Sequence, residues 1–370
     1  MKALRWKIQT LFMVISVLFM SCEVEKAVIY DGELSLTLAV LDTTGLFNPT
    51  DSTRRTPVSG ARVILYSGEY NKQFIFYTDK YGLVQATGLL ASDYEISAEY
   101  PLTVSTTLVG AIKRAVFQSS EKIDTIFVDV AHNSPIVINE VYSSGPVNSS
   151  VFFFDQFIEI YNRSDEIQYL DGKIICRGST STNNAPFIDQ WNYVKCLYAY
   201  QFPGKPGEEN YPIQPGQFMV IALDALDYSE IIEGAVDLSN ADWEFHNQLG
   251  SDFDNPLVSN LINVNPMKPK DFLISLITDV VILADGTKFW QDGSYIHVDI
   301  TTILDGVEYK SSSSTPKFLT RRVDKGYIQG VTRFSGESRE RLDPEIDTDN
   351  STLDFRIIDR PTPGYHHKNL

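Results

Sequence analysis

Residues 136–142 have the sequence IVINEVY, and residues 155–162 have the sequence DQFIEIYN. Both segments are short, rich in β-branched and aromatic residues, and bounded by Ser, Asn, Pro and Asp, a combination typical of strands. Residues 215–221 (PGQFMVI) show the same character further along the chain. Helical periodicity is scarce elsewhere, so the sequence predicts an all-β fold.

The N-terminal part of the chain has the same character. Apolar residues alternate with others in residues 34–40 (LSLTLAV), and a later apolar run ends at residues 79–82 (DKYG), a turn whose glycine can adopt positive φ. Residues 132–135 (HNSP) are polar and end in proline, which is typical of a linker. We therefore expect two tandem β-sandwiches, over residues 32–131 and residues 135–370.

Composition excludes several functional classes. The chain has 31 basic and 48 acidic residues and a formal net charge of −17. Lys2, Arg5 and Lys7 lie in a segment predicted to be removed, so the mature charge is 28 − 48 = −20. This charge repels phosphate backbones and predicts no binding to nucleic acid. A content of 43% hydrophobic and 12% aromatic residues excludes a disordered acidic tail.

Residues 1–21 have the organisation of a secretory signal peptide, with a basic start, an apolar run from Leu11 to Met20, and Ser21 immediately before Cys22. The apolar run is too short to span a bilayer comfortably. A cysteine directly after a small residue resembles the lipobox of bacterial lipoproteins, which implies cleavage before Cys22 and acylation of its sulfur. An ordinary signal peptide with an incidental cysteine is the alternative.

Residues 22–31 are predicted to form a tether. The acidic start of this segment, Glu23-Val24-Glu25, resembles the signal that sends Bacteroidota lipoproteins to the outer face of the outer membrane. We therefore expect a lipid-anchored outer-membrane protein that faces the cell exterior. Retention on the periplasmic side is the alternative.

Two cysteines remain after Cys22 is assigned to the anchor. Cys176 and Cys196 form an even pair in an exported chain, and both lie in segments of strand character. A disulfide between them would stabilise the fold by roughly 3 kcal/mol in the loop-entropy model. Two reduced, buried thiols are the alternative, and the sequence does not choose between them.

Three segments of the first predicted sandwich follow a known order. Residues 57–63 (PVSGARV), 78–82 (TDKYG) and 88–98 (GLLASDYEISA) resemble the strands and turns of carboxypeptidase-regulatory-like, transthyretin-like (prealbumin-like) sandwiches. The sequence departs from that pattern at residues 90–93, which replace a Pro-Gly turn, and in an insertion over residues 46–56. The resemblance implies a spacer or stalk without chemistry of its own.

The second part resembles the lamin-tail domain, an immunoglobulin-like β-sandwich. The resemblance rests on ordered matches at residues 136–142, 155–162, 169–172 (YLDG), 215–221 and 361–364 (PTPG). Lys173 and residues 365–367 depart from the family pattern. The resemblance implies a lamin-tail-like sandwich with long loop insertions at about residues 173–213 and 223–279. The whole chain resembles a Bacteroidota lipoprotein family of unknown function with both sandwiches.

The first insertion is rich in aromatic residues. Trp191, Tyr193, Tyr198 and Tyr200 lie among Asn, Pro and Gly, and such side chains stack on sugar faces or anchor protein interfaces. We therefore predict them as ligand-binding residues. The alternative is that they fill a small core beneath a long loop.

Acidic residues in the two quoted strands suggest chemistry. Glu140 and Glu159 would approach each other if their strands pair, as the carboxyl groups of glycosidases do. With Asp155 they would also supply oxygen ligands for a metal such as calcium. The structural interpretation, which we favour, is that these acids accept hydrogen bonds from loop backbone at the rim of the sandwich.

Other motifs of catalysis are absent from the sequence. It contains no His-Glu-x-x-His zinc helix, no Gly-x-Ser-x-Gly elbow and no phosphate-binding glycine loop, so we predict no cofactor and no catalytic residue. His366 and His367 are predicted to lie in a solvated tail, with metal scavenging as the alternative. Thr43, Ser52 and Thr125 each follow an aspartate in triplets that resemble the O-glycosylation sequon of exported Bacteroidota proteins.

These observations predict a non-enzymatic surface module. Acylated Cys22 would anchor the chain in the membrane, the first sandwich would act as a stalk, and the second would present a binding surface. The expected partner is a glycan or another outer-membrane protein, such as a TonB-dependent transporter. A carboxylate- or metal-dependent hydrolase and a purely structural envelope protein are the alternatives.

Overall fold

The computed structural model describes residues 34–49, 55–70, 72–103, 106–119, 122–132, 134–147, 149 and 151–367. The predicted signal peptide, the tether with Cys22, and Ser52 lie outside these ranges. Within them, strands dominate, and the helices are a four-residue α1 (Ser351–Asp354) and the 3-10 turns η1 (Ala185–Gln190), η2 (Tyr228–Glu230) and η3 (Ile300–Thr302). The predicted all-β fold class is confirmed. No helix in the described ranges is long and apolar enough to cross a membrane.

The first sandwich consists of strands β1 to β8. Their bounds are β1 Leu34–Asp42, β2 Thr56–Pro57, β3 Arg62–Ser67, β4 Lys72–Tyr77, β5 Leu83–Leu89, β6 Ser92–Thr103, β7 Thr106–Val116 and β8 Ile123–His132. One layer is built on β1, which pairs with β2, β5 and β8, and the other has the order β7-β6-β3-β4. Strands β7 and β8 pair with each other and join the two layers.

Alternation along the strands explains this core. Leu34, Leu36, Leu38 and Val40 of β1 are all buried, because every second side chain of a strand points to the same face. The turn predicted at residues 79–82 follows from Gly82, whose φ is +69° and at which a Cβ atom would lie 2.9 Å from the carbonyl oxygen of Val40. A residue with a side chain would therefore clash with β1 at this turn.

The second sandwich consists of strands β9 to β24. Their bounds are β9 Ile136–Tyr142, β10 Phe157–Asn162, β11 Gln168–Tyr169, β12 Ile174–Gly178, β13 Tyr193–Gln201, β14 Pro212–Ile213, β15 Phe218–Ala222, β16 Trp243–His246, β17 Ser259–Asn263, β18 Asp279–Ala284, β19 Phe289–Asp292, β20 Tyr295–Asp299, β21 Ile303–Lys310, β22 Ile328–Gln329, β23 Ser338–Arg341 and β24 Phe355–Ile358. Hydrogen bonds connect most of them in the order β22-β21-β18-β12-β13-β17-β16-β15-β10-β9-β23-β24. The β19-β20 hairpin pairs with β13, and β11 pairs with β14.

The two predicted insertions are not simply loops. Residues 173–213 contain β12, β13 and β14, and residues 223–279 contain β16 and β17 and reach the start of β18. Both segments therefore consist of strands of the sheet together with the loops between them. Ile174, Ile175 and Cys176 of β12 are buried between β13 and β18, which pair with it on both sides. The sheet, rather than a surface loop, stabilises this region.

The two sandwiches contact each other through polar side chains. The Nε2 atom of Gln73 donates a hydrogen bond to Oδ2 of Asp343 (3.1 Å), and the Arg356 guanidinium bonds the hydroxyl of Tyr66. A cleft of about 1020 Å³ opens between β6 and β7 of the first sandwich and the segment from β24 to His367 of the second. This cleft, hereafter the interdomain cleft, exposes side chains of both sandwiches to solvent.

Candidate functional site

Four rings gather on the outer surface of the second sandwich, and we call them the aromatic patch: Trp191, Tyr193, Trp290 and His297. Trp191 directly follows the turn η1, and Tyr193 begins β13. Trp290 of β19 lies opposite His297 of β20, and His297 also lies opposite a residue of β13. Backbone pairing of three strands therefore fixes the positions of these rings.

The rings are in direct contact. Tyr193 stacks on Trp191, with centroids 5.4 Å apart and planes 7° apart, and on His297, with centroids 4.2 Å apart and planes 10° apart. Trp290 meets Tyr193 edge-on at 5.6 Å and His297 edge-on at 5.5 Å. Burial lowers the pKa of His297, which favours the neutral imidazole in this stack.

The patch remains open to solvent. The Trp290 side chain is 44% exposed, and Trp191 and Tyr193 are half-buried. The exposed polar residues Gln291 and Asp292 adjoin Trp290 in the chain. Apolar ring surface bordered by hydrogen-bonding groups is the usual composition of a small-ligand contact surface.

The structure separates the aromatic residues that the sequence grouped together. Trp191 and Tyr193 belong to the patch, but the prediction is wrong for Tyr200, which is fully buried and packs edge-on against Phe245 and Phe272. Its hydroxyl donates to the carbonyl oxygen of Lys270 (3.0 Å). Tyr198 is half-buried and packs against the same core. Tyr198 and Tyr200 therefore fit the alternative that these aromatic residues fill a core, and they do not fit a role in ligand binding.

Trp290 and His297 were missed by the sequence reasoning. A signal for them exists, because the dipeptide Gly293-Ser294 between two strand-like segments is typical of a two-residue hairpin turn. A two-residue turn at Gly293-Ser294 fixes the register of the hairpin and places Trp290 opposite His297. No local signal places this hairpin beside β13, since that contact spans about a hundred residues.

The acidic residues of the two opening strands lie in a row, hereafter the acidic row. Glu159 of β10 lies opposite Glu140 of β9, and Glu140 lies opposite Glu340 of β23. Arg356 of β24 lies opposite Glu340 and ends the row. All three acids are buried, and they are covered by residues 361–367, hereafter the C-terminal segment. Like charges directly opposite in a sheet destabilise it unless they are neutralised or hydrogen-bonded.

The C-terminal segment supplies those hydrogen bonds. The backbone N–H of Thr362 donates to both carboxylate oxygens of Glu140 (3.2 Å each), and its hydroxyl donates to Oε2 (2.9 Å). The N–H of Gly364 donates to Glu159 Oε2 (2.6 Å), and Asn139 Nδ2 donates to Oε1 (2.8 Å). These bonds agree with the structural interpretation of both acids, and they leave no access for a substrate.

The charge of the row is concentrated on one residue. Burial raises the pKa of Glu140 to about 8. Burial also raises the pKa of Glu159 well above its usual range, and the neighbouring carboxyl group of Glu140 adds to this shift. Burial acts in the same direction on Glu340, but hydrogen bonds from His367 outweigh it and hold its pKa below the usual value. At neutral pH, Glu140 therefore favours the protonated form and Glu340 the ionised form, while the pKa of Glu159 is shifted in the same direction as that of Glu140.

Asp155 does not join this row. It accepts hydrogen bonds from the Tyr142 hydroxyl (3.1 Å) and the Val236 N–H (3.1 Å), and burial raises its pKa to about 6. The predicted grouping of Asp155 with Glu140 and Glu159 around a metal is therefore wrong, because Asp155 faces a different loop. It helps to hold the loop after η2 against β9.

The prediction that the histidine pair lies in a solvated tail is also wrong. His366 is 2% exposed and His367 is half-buried, because both pack on the acidic row. His366 Nε2 lies 2.7 Å from the carbonyl oxygen of Arg341, and His367 Nδ1 contacts the carboxylate of Glu340. Glu340, a polar residue of a short polar strand, carries no local sequence signal that would have identified it.

The two cysteines of the second sandwich lie on neighbouring strands. Cys176 of β12 and Cys196 of β13 are buried free thiols, so neither described cysteine forms a disulfide and the structure has the reduced alternative. Burial, with the adjacent Cys196, raises the pKa of the Cys176 thiol.

The Thr43 hydroxyl, a predicted glycosylation site, donates a hydrogen bond to the Val128 carbonyl (3.0 Å), and a sugar on Thr43 would break this bond. Thr125 is half-buried in β8.

The acidic row predicts a pH dependence of stability. Because the pKa of Glu140 rises from an ordinary value of 4.5 to about 8 on folding, the folded state binds a proton between these pH values that the unfolded chain lacks. Its contribution to stability is complete below about pH 4.5 and is lost as the pH rises through about 8. We expect Glu140→Gln, which is neutral throughout, to show a smaller fall in urea midpoint from pH 6 to pH 9 than the wild type.

The control for this measurement is Glu69→Gln, a change of the same type at an exposed position. It should follow the wild-type profile. Parallel profiles for the wild type and Glu140→Gln would contradict the assignment of a buried, protonated Glu140.

Comparisons with known proteins identify the fold. No protein-family model and no curated protein matches the chain. Among solved structures, the chain is similar to a DUF4876 family protein from Bacteroides thetaiotaomicron, with 19% sequence identity and a TM-score of 0.51 over 87% of this chain and 94% of that chain. At this identity the likeness shows a shared fold. It fits the expected resemblance to Bacteroidota proteins of unknown function, while the assignment of each sandwich to a named family stays a prediction.

Proposed function

We propose that this chain is a lipid-anchored outer-membrane lipoprotein, exposed at the cell surface, that binds an extracellular glycan through the aromatic patch without catalysing a reaction. The observation that carries the proposal is the patch itself, in which contacting rings on paired strands keep ring surface in solvent, with Trp290 44% exposed. An exposed tryptophan in contact with two half-buried rings forms a continuous apolar surface, and such surfaces mark binding sites when they are large.

The chemistry of the patch suits a sugar. A pyranose ring presents C–H groups on its faces and hydroxyl groups around its edge, so it pairs well with aromatic rings bordered by polar side chains. Asp292, on the same face of β19 as Trp290 and with its side chain 71% exposed, is placed to bond such hydroxyls. Because β13, β19 and β20 hold the rings by backbone pairing, binding would cost little ordering of the protein.

The state of the acidic row supports binding rather than hydrolysis. A glycosidase needs a protonated and an ionised carboxyl group that both reach the substrate. Glu140 and Glu159 are fully buried beneath the C-terminal segment, and burial raises the pKa of both. This arrangement argues against the hydrolase alternative at these residues, and the exposed patch argues against a purely structural envelope protein.

The proposal is tested by affinity electrophoresis of the wild-type chain in native gels that contain single soluble polysaccharides. Retarded migration with a particular polysaccharide, without release of reducing sugar, supports a non-enzymatic glycan-binding module. Cross-linking of native outer membranes, followed by purification under denaturing conditions, tests the other partner class. Consistent recovery of a TonB-dependent transporter, with no retardation by any polysaccharide, would replace the glycan with a protein partner.

A further inference from the structure

We propose that Glu340, His366 and His367 bind a divalent transition-metal ion at the edge of the interdomain cleft. One ligand atom of each side chain lies within 4.8 Å of the other two, and the imidazole centroids are 4.6 Å apart. Two imidazoles and one carboxylate are the ligand set of many zinc sites that keep a further position open. This site is separate from the aromatic patch and does not depend on the proposed function.

The fold brings the three ligands together from two directions. Glu340 extends from β23, while the C-terminal segment is held over that strand by its bonds to Glu140 and Glu159. The backbone N–H of His367 donates to Glu340 Oε1 (2.9 Å), which fixes the histidine beside the carboxylate. Adjacent residues in an extended chain usually point apart, so this convergence of His366 and His367 on one acid is specific to the bend in the segment.

The hydrogen bonds of the two imidazoles are compatible with metal binding. His366 Nε2–H donates a hydrogen bond to the carbonyl oxygen of Arg341 (2.7 Å), as the non-ligating nitrogen of a metal-bound histidine usually does, so the ion would take the other ring nitrogen. Among the described residues, Nε2 of His367 is buried without a hydrogen-bond partner. A buried polar atom that lacks a partner is uncommon and indicates a missing ligand or water.

An ion can reach the site from the cleft. Thr362, Arg356 and His367 all line the interdomain cleft of about 1020 Å³. The open positions of the ion would therefore face solvent, where water or a small anion would complete the coordination. A buried structural site, by contrast, is closed on all sides by protein ligands.

Arg356 competes with the ion. Its Nη2 atom donates to Glu340 Oε2 (3.0 Å) and contacts His367 Nδ1, so the guanidinium occupies the place of a cation. Its Nε atom is buried and has no hydrogen-bond partner within the described ranges. Metal binding would move this side chain into the cleft that it already lines. Removal of the guanidinium should therefore strengthen binding of the ion.

The test is a calorimetric titration with Zn²⁺ of the full protein, purified in detergent without a histidine tag and freed of metal by a chelator. We expect one site in the wild type, weakened at least about tenfold in His367→Ala and unchanged in the matched control His246→Ala. His367 is half-buried, and a melting curve establishes that the variant folds. Should it fail, His367→Gln replaces it.

Two results would overturn the proposal. One is the absence of a stoichiometric site in both the wild type and Arg356→Met, and the other is equal Zn²⁺ affinity of folded His367→Ala and the wild type. Tighter binding by Arg356→Met than by the wild type supports displacement of the guanidinium. Unchanged affinity in Arg356→Met would overturn that step.

Discussion

Replacement of Arg341 by methionine is expected to destabilise the protein by about 3–5 kcal/mol, because it removes one partner from a buried ion-pair network. The Arg341 side chain is 1% exposed. Its Nη2 atom donates to Asp305 Oδ2 (2.8 Å), and its Nη1 atom lies 3.3 Å from Asp347 Oδ1 and 3.4 Å from Asp354 Oδ2. Methionine fills a similar volume but leaves these acids buried without a positive charge.

The pKa values of the acids around Arg341 make the effect of this replacement depend on pH. Burial raises the pKa of Asp305 and of Asp354 to about 7, even though Arg341 opposes this shift. In Arg341→Met the opposing charge is lost, so both pKa values should rise further and both groups should bind protons at neutral pH. The loss of stability is therefore expected to be larger at pH 8 than at pH 5.

The matched control is Arg321→Met. Arg321 forms an ion pair of similar length with Asp189 (2.6 Å), but the Arg321 side chain is 65% exposed. Surface pairs of this kind contribute less than about 1 kcal/mol. The measurement is the urea midpoint of each variant by circular dichroism. Equal midpoints for Arg341→Met and Arg321→Met would contradict a stabilising role for the buried network.

Replacement of Cys22 by serine is expected to abolish anchoring in the outer membrane. The resemblance of residues 1–22 to a lipoprotein signal implies that the sulfur of Cys22 carries the acyl chains, and a serine hydroxyl cannot form that thioether. Several acyl chains hold a protein stably, whereas the acidic body has no attraction to an anionic surface. We expect the variant to disappear from the outer-membrane fraction, as measured by immunoblot of separated membranes.

The control for this experiment is Cys176→Ser, a change of the same type at a buried thiol. It should remain in the outer membrane, and protease added to intact cells should degrade it as it degrades the wild type. Wild-type amounts of Cys22→Ser in the outer-membrane fraction would contradict the lipid anchor. Protection of the wild type in intact cells, lost on lysis, would contradict surface exposure.

The strands that alternate in sequence were predictable, and β23 was not. Residues 136–142 and 155–162 became β9 and β10 because their apolar side chains fill the core of the second sandwich. Strand β23 contains Ser338, Arg339, Glu340 and Arg341, all of which are buried. Nothing in that polar sequence predicts burial, because it depends on distant partners. Arg339, for example, lies 3.8 Å from the ring centroid of Tyr309.

The same reason limits prediction of the candidate sites. Glu140 and Glu159 were identifiable because each lies in an apolar strand, but the third member of the row follows some two hundred residues after the first. Trp191 and Tyr193 were identifiable by their type, whereas Tyr200 has the same type and is fully buried. The residue type alone does not predict which aromatic side chains reach the surface, because this depends on the pairing of β13 with β20.

Glycan binding through the aromatic patch is tested by affinity electrophoresis of the double variant Trp191→Ala with Trp290→Ala. The matched control is Tyr81→Ala, whose side chain is 62% exposed on the first sandwich. We predict that a polysaccharide retards the wild type and Tyr81→Ala equally and has no effect on the double variant, with melting temperatures unchanged. Equal retardation of all three proteins, or of none by any polysaccharide, would contradict glycan binding through the patch.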